Sequence, residues 1–145
     1  MRKIYCGFIR FEITGECVAK GRPKFCKMGD KGVRVYTPKK TEKYEEKVKE
    51  EFKQQFPDFT PFSSRIKATI IITKKVLKSA SKKYKDKMLN GEISPITRPD
   101  LDNYIKSILD GLNGLAYVDD SIITQITAIK QYGDTDKVVV ILEEF

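Results

Sequence analysis

Ile66, Ala68, Ile70 and Ile72 alternate with Lys67, Thr69, Ile71 and Thr73, and this run constrains the fold more than any other stretch of the chain. A two-residue period buries one face of a β-strand, and Ile71 on the opposite face marks a central strand covered on both sides. The rest of the chain must therefore supply neighbouring strands and helices to cover them. Ile9, Phe11 and Ile13 alternate with Arg10, Glu12 and Thr14 and predict a first strand with one buried face. Tyr44, Val48, Phe52 and Phe56 step by four, so residues 41–55 read as an amphipathic helix laying an aromatic stripe on the sheet. Thr37-Pro38 marks its start, with Thr37 as N-cap.

A second helix follows Pro99. Leu101, Ile105, Ile108, Leu109 and Leu112 recur at helical spacing, and Asn113-Gly114 ends the run. Val33–Tyr36 reads as a short strand pairing with the first strand. Residues 74–90 are lysine-rich, with Ser79 or Ser81 able to cap a short helix through Leu89. Residues 122–132 and 138–142 read as strands joined through Gly133-Asp134-Thr135-Asp136 into a hairpin. The expected architecture is α+β: one domain over residues 1–145, with a mixed sheet of about four to five strands and two to three helices packed on it.

The chain has 145 residues, enough for one domain with a real core. It holds no apolar run long enough to span a bilayer, and Met1-Arg2-Lys3-Ile4 does not open a signal peptide. The expectation is a cytoplasmic protein without a membrane partner. Cys6, Cys17 and Cys26 are odd in number and form no C-x-x-C pair, so they read as small buried or half-buried residues.

The chain contains no histidine, which excludes His-dependent dyads, triads and imidazole metal sites. Its formal charge of +8 points to a polyanionic partner, and the distribution sharpens the point. Residues 20–40 carry eight cations against Asp30 alone, and residues 74–88 carry seven lysines against Asp86. From Asp100 onward the balance reverses, with nine acids and three lysines. Lys20, Arg22 and Lys24 in the first stretch, and Lys82, Lys83 and Lys85 in the second, are candidate phosphate contacts; the same residues also suit a solvated surface.

Asp100 and Asp102 fall in the first helical turn, where the macrodipole favours negative charge, and Lys106 lies one turn beyond Asp102. This arrangement presents two carboxylates to a divalent cation. Asp119-Asp120 can supply a third if the apolar run Leu115–Val118 carries the chain back beside the helix start. Hard cations such as Mg²⁺ take oxygen ligands and keep waters, so two or three carboxylates suffice. The same residues also fit plain helix capping and a plain turn.

Together, Lys20-Gly21-Arg22-Pro23, Tyr36-Thr37-Pro38, Arg98-Pro99-Asp100-Leu101-Asp102-Asn103, Lys106, Asp110-Gly111-Leu112-Asn113-Gly114 and Val118-Asp119-Asp120 resemble the RusA family of Holliday junction resolvases, in its Gram-positive and phage branch. The resemblance implies a homodimeric, Mg²⁺-dependent endonuclease, with Mn²⁺ as a substitute, that acts on four-way DNA junctions and nicks two opposed strands. It implies Asp100, Asp102 and Asp120 as catalytic metal ligands and Lys106 as the catalytic lysine, with Asp119 a less certain neighbour. The Asp pair follows the helix acids at a slightly shorter distance than in the family's founder, and the lysine-rich arm before Pro99 is longer. A DNA-binding protein without catalysis and a metal-dependent small-molecule phosphohydrolase are the competing readings; two long cationic stretches disfavour the second.

Overall fold

The computed structural model describes residues 7–22 and 24–145. The elements in chain order are β1 (Phe8–Thr14), β2 (Lys24–Lys27), β3 (Val33–Tyr36), α1 (Lys39–Gln55), β4 (Ile66–Lys75), α2 (Lys82–Leu89), α3 (Leu101–Leu112), β5 (Ile123–Gly133) and β6 (Lys137–Glu144). Short 3-10 turns occupy Gly29–Lys31 and Asp120–Ile122. A mixed four-stranded sheet has the order β1-β6-β4-β5, and β2 and β3 form a separate two-stranded ribbon. The expected α+β architecture is present.

The run that opened the sequence reading is an interior strand. β4 pairs antiparallel with β6 on one side and parallel with β5 on the other. Ile66, Ala68, Ile70 and Ile72 are all fully buried, as are Val138, Val140 and Leu142 beside them on β6. α1 and α3 lie together over this face. Tyr44, Val48 and Phe52 are the buried stripe of α1, and the Phe52 ring meets Phe11 of β1 edge to face at 5.3 Å. The two helices approach closely at Gly111, where a Cβ would stand 3.0 Å from Val48 Cβ and 3.2 Å from the Glu45 carbonyl oxygen.

Three sequence expectations need correction. β3 pairs with β2, not with β1, because the chain reverses through the Gly29–Lys31 turn and closes an antiparallel ribbon of its own. β5 and β6 are adjacent in sequence but do not pair: β4 separates them. The cause is burial. The alternating Val138, Val140 and Leu142 need a strand on each flank, whereas β5, with its polar Thr124, Gln125 and Thr127, tolerates the edge. Finally, the N-cap position of α1 is Pro38, with no side-chain cap hydrogen bond, so Thr37 does not cap it.

Ser81 is the cap of α2, accepting from the Tyr84 amide at 3.3 Å. Cys17 is buried and Cys26 is exposed on β2, against the expectation of burial; Cys6 and the N-terminal expectation lie outside the described residues. No helix among the described residues is long and apolar enough to cross a membrane.

Candidate active site

The first turn of α3 emerges from the loop that follows α2. Asp100 occupies the N-cap position with extended backbone angles, yet its side chain makes no cap hydrogen bond. Its backbone carbonyl does that work, accepting from the Tyr104 amide. Asp100, Asp102 and Lys106 are exposed, and none forms an ion pair among the described residues. Carboxylates at a helix start that neither cap nor pair are available to an external cation.

Two lysines fix this turn from behind. Lys130 of β5 donates from Nζ to the carbonyls of Thr97 at 2.7 Å and Pro99 at 2.9 Å, and its ammonium lies 5.9 Å from the Tyr104 ring centroid. The Lys20 amide donates to the Asn103 carbonyl at 2.8 Å. Sequence reasoning missed Lys130 altogether. Within β5 it is the only charged residue, and that isolation was the available signal.

Lys20 itself is turned inward. Its Nζ donates to Glu45 Oε1 of α1 at 2.6 Å and contacts Asp110 Oδ2 of α3 at 3.0 Å, with all three side chains largely covered. Burial alone would lower the ammonium pKa, but the two carboxylates outweigh it and hold the pKa above the ordinary lysine value. The Gly21 amide donates to Thr41 Oγ1 at 3.0 Å, and a Cβ at Gly21 would fall 2.9 Å from Pro38 Cγ. The Lys20-Gly21 pair is therefore a buckle between α1 and α3. Arg22 and Lys24 beyond it are exposed, as are Lys82 and Lys83 on α2, while Lys85 is half-buried. Pro23 lies outside the described residues.

The Asp119-Asp120 turn stands at the other end of α3, which corrects the expected path of the chain. Leu115 and Ala116 amides both return to the Leu112 carbonyl, Gly114 donates to Tyr117, and the strand-like pairing of Phe62 with Ala116 and Val118 holds residues 115–118 beside the helix C-terminus. The apolar run does not travel back along the helix. Asp119 Oδ2 accepts from the Ser121 amide at 3.2 Å, and hydrogen bonding from Ser121 holds this exposed carboxyl below its ordinary pKa. Asp120 is exposed and forms no ion pair among the described residues.

At 1.5 Å per residue, Asp102 and Asn113 are separated by about 16 Å along the α3 axis. Oxygen ligands of one Mg²⁺ lie within about 4 Å of each other. Among the described residues no three His, Cys, Asp or Glu side chains converge on a metal position. The donors present are nevertheless all carboxylate oxygens, the chemistry a hard divalent cation takes, and Asp100 and Asp102 share a turn.

A mixed sheet carrying two helices on one face, with exposed carboxylates on the first turn of the second and a lysine one turn beyond, defines the class. The family model for endodeoxyribonuclease RusA matches residues 14–143. The chain belongs to the RusA endodeoxyribonuclease family, whose members act on Holliday junction DNA. It is also 35% identical over 139 residues to "Uncharacterized protein YqaN" of Bacillus subtilis (strain 168), covering 94% of this chain and 96% of that protein.

Proposed function

We propose that this protein is a Mg²⁺-dependent endodeoxyribonuclease, able to use Mn²⁺, that resolves four-way DNA junctions in the cytoplasm as a homodimer by nicking two opposed strands. The observation that carries the reading is the set Asp100, Asp102 and Lys106, exposed and without an ion pair among the described residues, on the first two turns of α3 in a RusA-family chain. Among the described residues Asp110 and Asp119 have side-chain partners, and these three and Asp120 form no ion pair.

Bound Mg²⁺ supplies charge neutralisation at the phosphate and a more acidic water. Asp100 and Asp102 would hold it through carboxylate oxygens, and one of them would take the proton of the attacking water; Asp120, at the far end of α3, would have to come from the second copy of the homodimer to serve as third ligand. Lys106, one turn along, places its ammonium against the charge that develops on the phosphate or the leaving 3′ oxygen. No histidine is required. Arg22 and Lys24 on one side, and Lys82, Lys83 and Lys85 on the other, track the flanking phosphates.

The test is incubation of a labelled synthetic four-way junction, the matching duplex and the single strand with protein in Mg²⁺ or in chelator. Paired nicks in the junction, with Mg²⁺ only, are expected. Junction binding without cleavage in either metal would make the chain a non-catalytic junction binder instead.

A further inference from the structure

Asp100 makes no side-chain cap hydrogen bond, and neither Asp100 nor Asp102 forms an ion pair among the described residues. Their placement therefore depends on the backbone that carries them. We propose that Lys130 is the positioning residue of the active site: its ammonium fixes the turn bearing Asp100 and Asp102 and so sets the affinity of that turn for a divalent cation. The proposal rests on the reading that these carboxylates are metal ligands.

The segment leading into α3 has little else to hold it. Residues 94–99 form neither helix nor strand. Among the described residues their only hydrogen bonds are the two from Lys130 Nζ, to the Thr97 carbonyl at 2.7 Å and the Pro99 carbonyl at 2.9 Å. Packing adds little: Pro95 is buried, but Ile96 is 93% exposed and Ser94, Thr97 and Arg98 are exposed as well. Downstream the turn is closed by the Tyr104 amide, which donates to the Asp100 carbonyl at 3.3 Å, and by the Lys20 amide on the Asn103 carbonyl. Asp100 and Asp102 thus sit between two anchors, and Lys130 is the upstream one.

The anchor has a firm base. Lys130 stands opposite Ile72 in the parallel register of β5 with the interior strand β4, and residues so paired share a face of the sheet. Ile72 is fully buried, so the Lys130 stem lies on the helix-bearing face and reaches the start of α3, with its ammonium 5.9 Å from the ring centroid of buried Tyr104. Two of the ammonium's three hydrogens go to the carbonyls, which commits this cation to the turn and not to a phosphate. Two carboxylates serve one cation when they are held to within about 0.5 Å of the productive arrangement. Groups that orient metal ligands without touching the metal typically carry about tenfold to a hundredfold in metal affinity.

Mn²⁺ binding to the protein without DNA, followed by the spin resonance of the free ion, tests the assignment. Wild type should bind Mn²⁺, Asp100→Asn should lose that binding, and Lys130→Met should bind about tenfold to a hundredfold more weakly. Lys130→Arg, whose guanidinium can donate to both carbonyls, should stay within about threefold of wild type. In single-turnover cleavage Lys130→Met should need more Mg²⁺ for half-maximal rate and recover most of its deficit at saturating Mg²⁺, while junction affinity in chelator stays at the wild-type value. If Lys130→Met binds Mn²⁺ as tightly as wild type while Asp100→Asn does not bind it, the proposal is overturned and the nuclease reading stands. Weaker junction binding in chelator with a flatter salt slope also overturns it, because the ammonium then meets a phosphate.

Amide hydrogen exchange reads the anchor without metal or DNA. Lys130→Met should lose protection at Tyr104, whose amide closes on Asp100, while Ile108 and Leu109 keep theirs. Unchanged protection at Tyr104 rejects the anchor even if cleavage is lost. Loss confined to Tyr104 in a protein whose wild type neither binds Mn²⁺ nor cleaves keeps the anchor and rejects the metal-ligand reading. Lys130→Gln, uncharged and a bond shorter, carries the same comparison against Lys130→Arg if Lys130→Met does not fold.

Discussion

The two ends of α3 treat charge in opposite ways. At the C-terminal half, Ser107, Ile108, Leu109, Gly111 and Leu112 are buried, Asp110 is tied to Lys20, and Ser107 Oγ donates to the Val18 carbonyl at 2.6 Å. At the N-terminal turn Asp100 and Asp102 form no ion pair among the described residues, and the stabilising contacts there are made by backbone carbonyls, with Lys130 and the Lys20 amide as donors. Under the proposed function the difference separates scaffold from chemistry. Carboxylates that the fold needs are matched, and those it leaves exposed beside each other repel in the absence of a cation.

The largest expected effect comes from neutralising the free end. Asp100→Asn and Asp102→Asn should each lower single-turnover cleavage of a junction by about a hundredfold or more while leaving junction affinity close to wild type. Their melting temperatures without metal should stay level or rise slightly, because a repulsion is removed and no hydrogen bond is lost. A fall in melting temperature as large as that of a core substitution would assign these residues to the scaffold instead. Lys106→Ala should cost about tenfold to a hundredfold in the same single-turnover rate, with little change in binding, because the proposed role puts its charge to use in the transition state.

At the other end the readout reverses. Gly111→Ala places a methyl 3.0 Å from Val48 Cβ and 3.2 Å from the Glu45 carbonyl, with backbone as one of the obstacles. The helices must part, and overpacking of this kind costs about 1–3 kcal/mol. Urea denaturation should show a lower midpoint with an unchanged slope, and cleavage measured well below that midpoint should change far less than in the Asp100 variant.

The contrast between the ends was only half visible in the sequence. The periodicities of residues 66–73 and 101–112 were enough for the interior strand and the amphipathic helix, because burial on one face writes itself at regular spacing. Strand order was not legible: β5 and β6 look like a hairpin, and only the competition for flanking partners among Val138, Val140 and Leu142 places β4 between them. The unshared state of Asp100 and Asp102 could be suspected from their position in the first turn. The separation of Asp120 could not, because the sequence does not say whether the four-residue apolar run Leu115–Val118 folds back along the helix or stays beside its end, and its pairing with Phe62 is a long-range contact. Lys20 shows the same limit. As part of a cationic loop it looked like Arg22 and Lys24, and only packing between α1 and α3 sets it apart.

That last distinction yields the smallest effect and the most direct separation of a structural cation from a DNA-facing one. Lys20→Met removes the ammonium from between Glu45 and Asp110 and leaves two carboxylates near each other, so it should destabilise the fold by about 1 kcal/mol, the pair being partly screened by solvent. Because the folded state raises the Lys20 pKa, its contribution is fully present below the unfolded lysine value near 10.4 and disappears as pH rises through the folded value. The melting-temperature gap between wild type and Lys20→Met should therefore be constant from pH 7 to about 10 and close above that. Arg22→Ala should do the reverse: no shift in melting at any of these pH values, but a slope of log affinity against log salt flatter by about one unit if Arg22 meets a phosphate. If Lys20→Met instead flattened the salt slope and left melting unchanged, its ammonium would leave Glu45 and Asp110 to meet DNA, and the buckle between α1 and α3 would be a feature of the free protein alone.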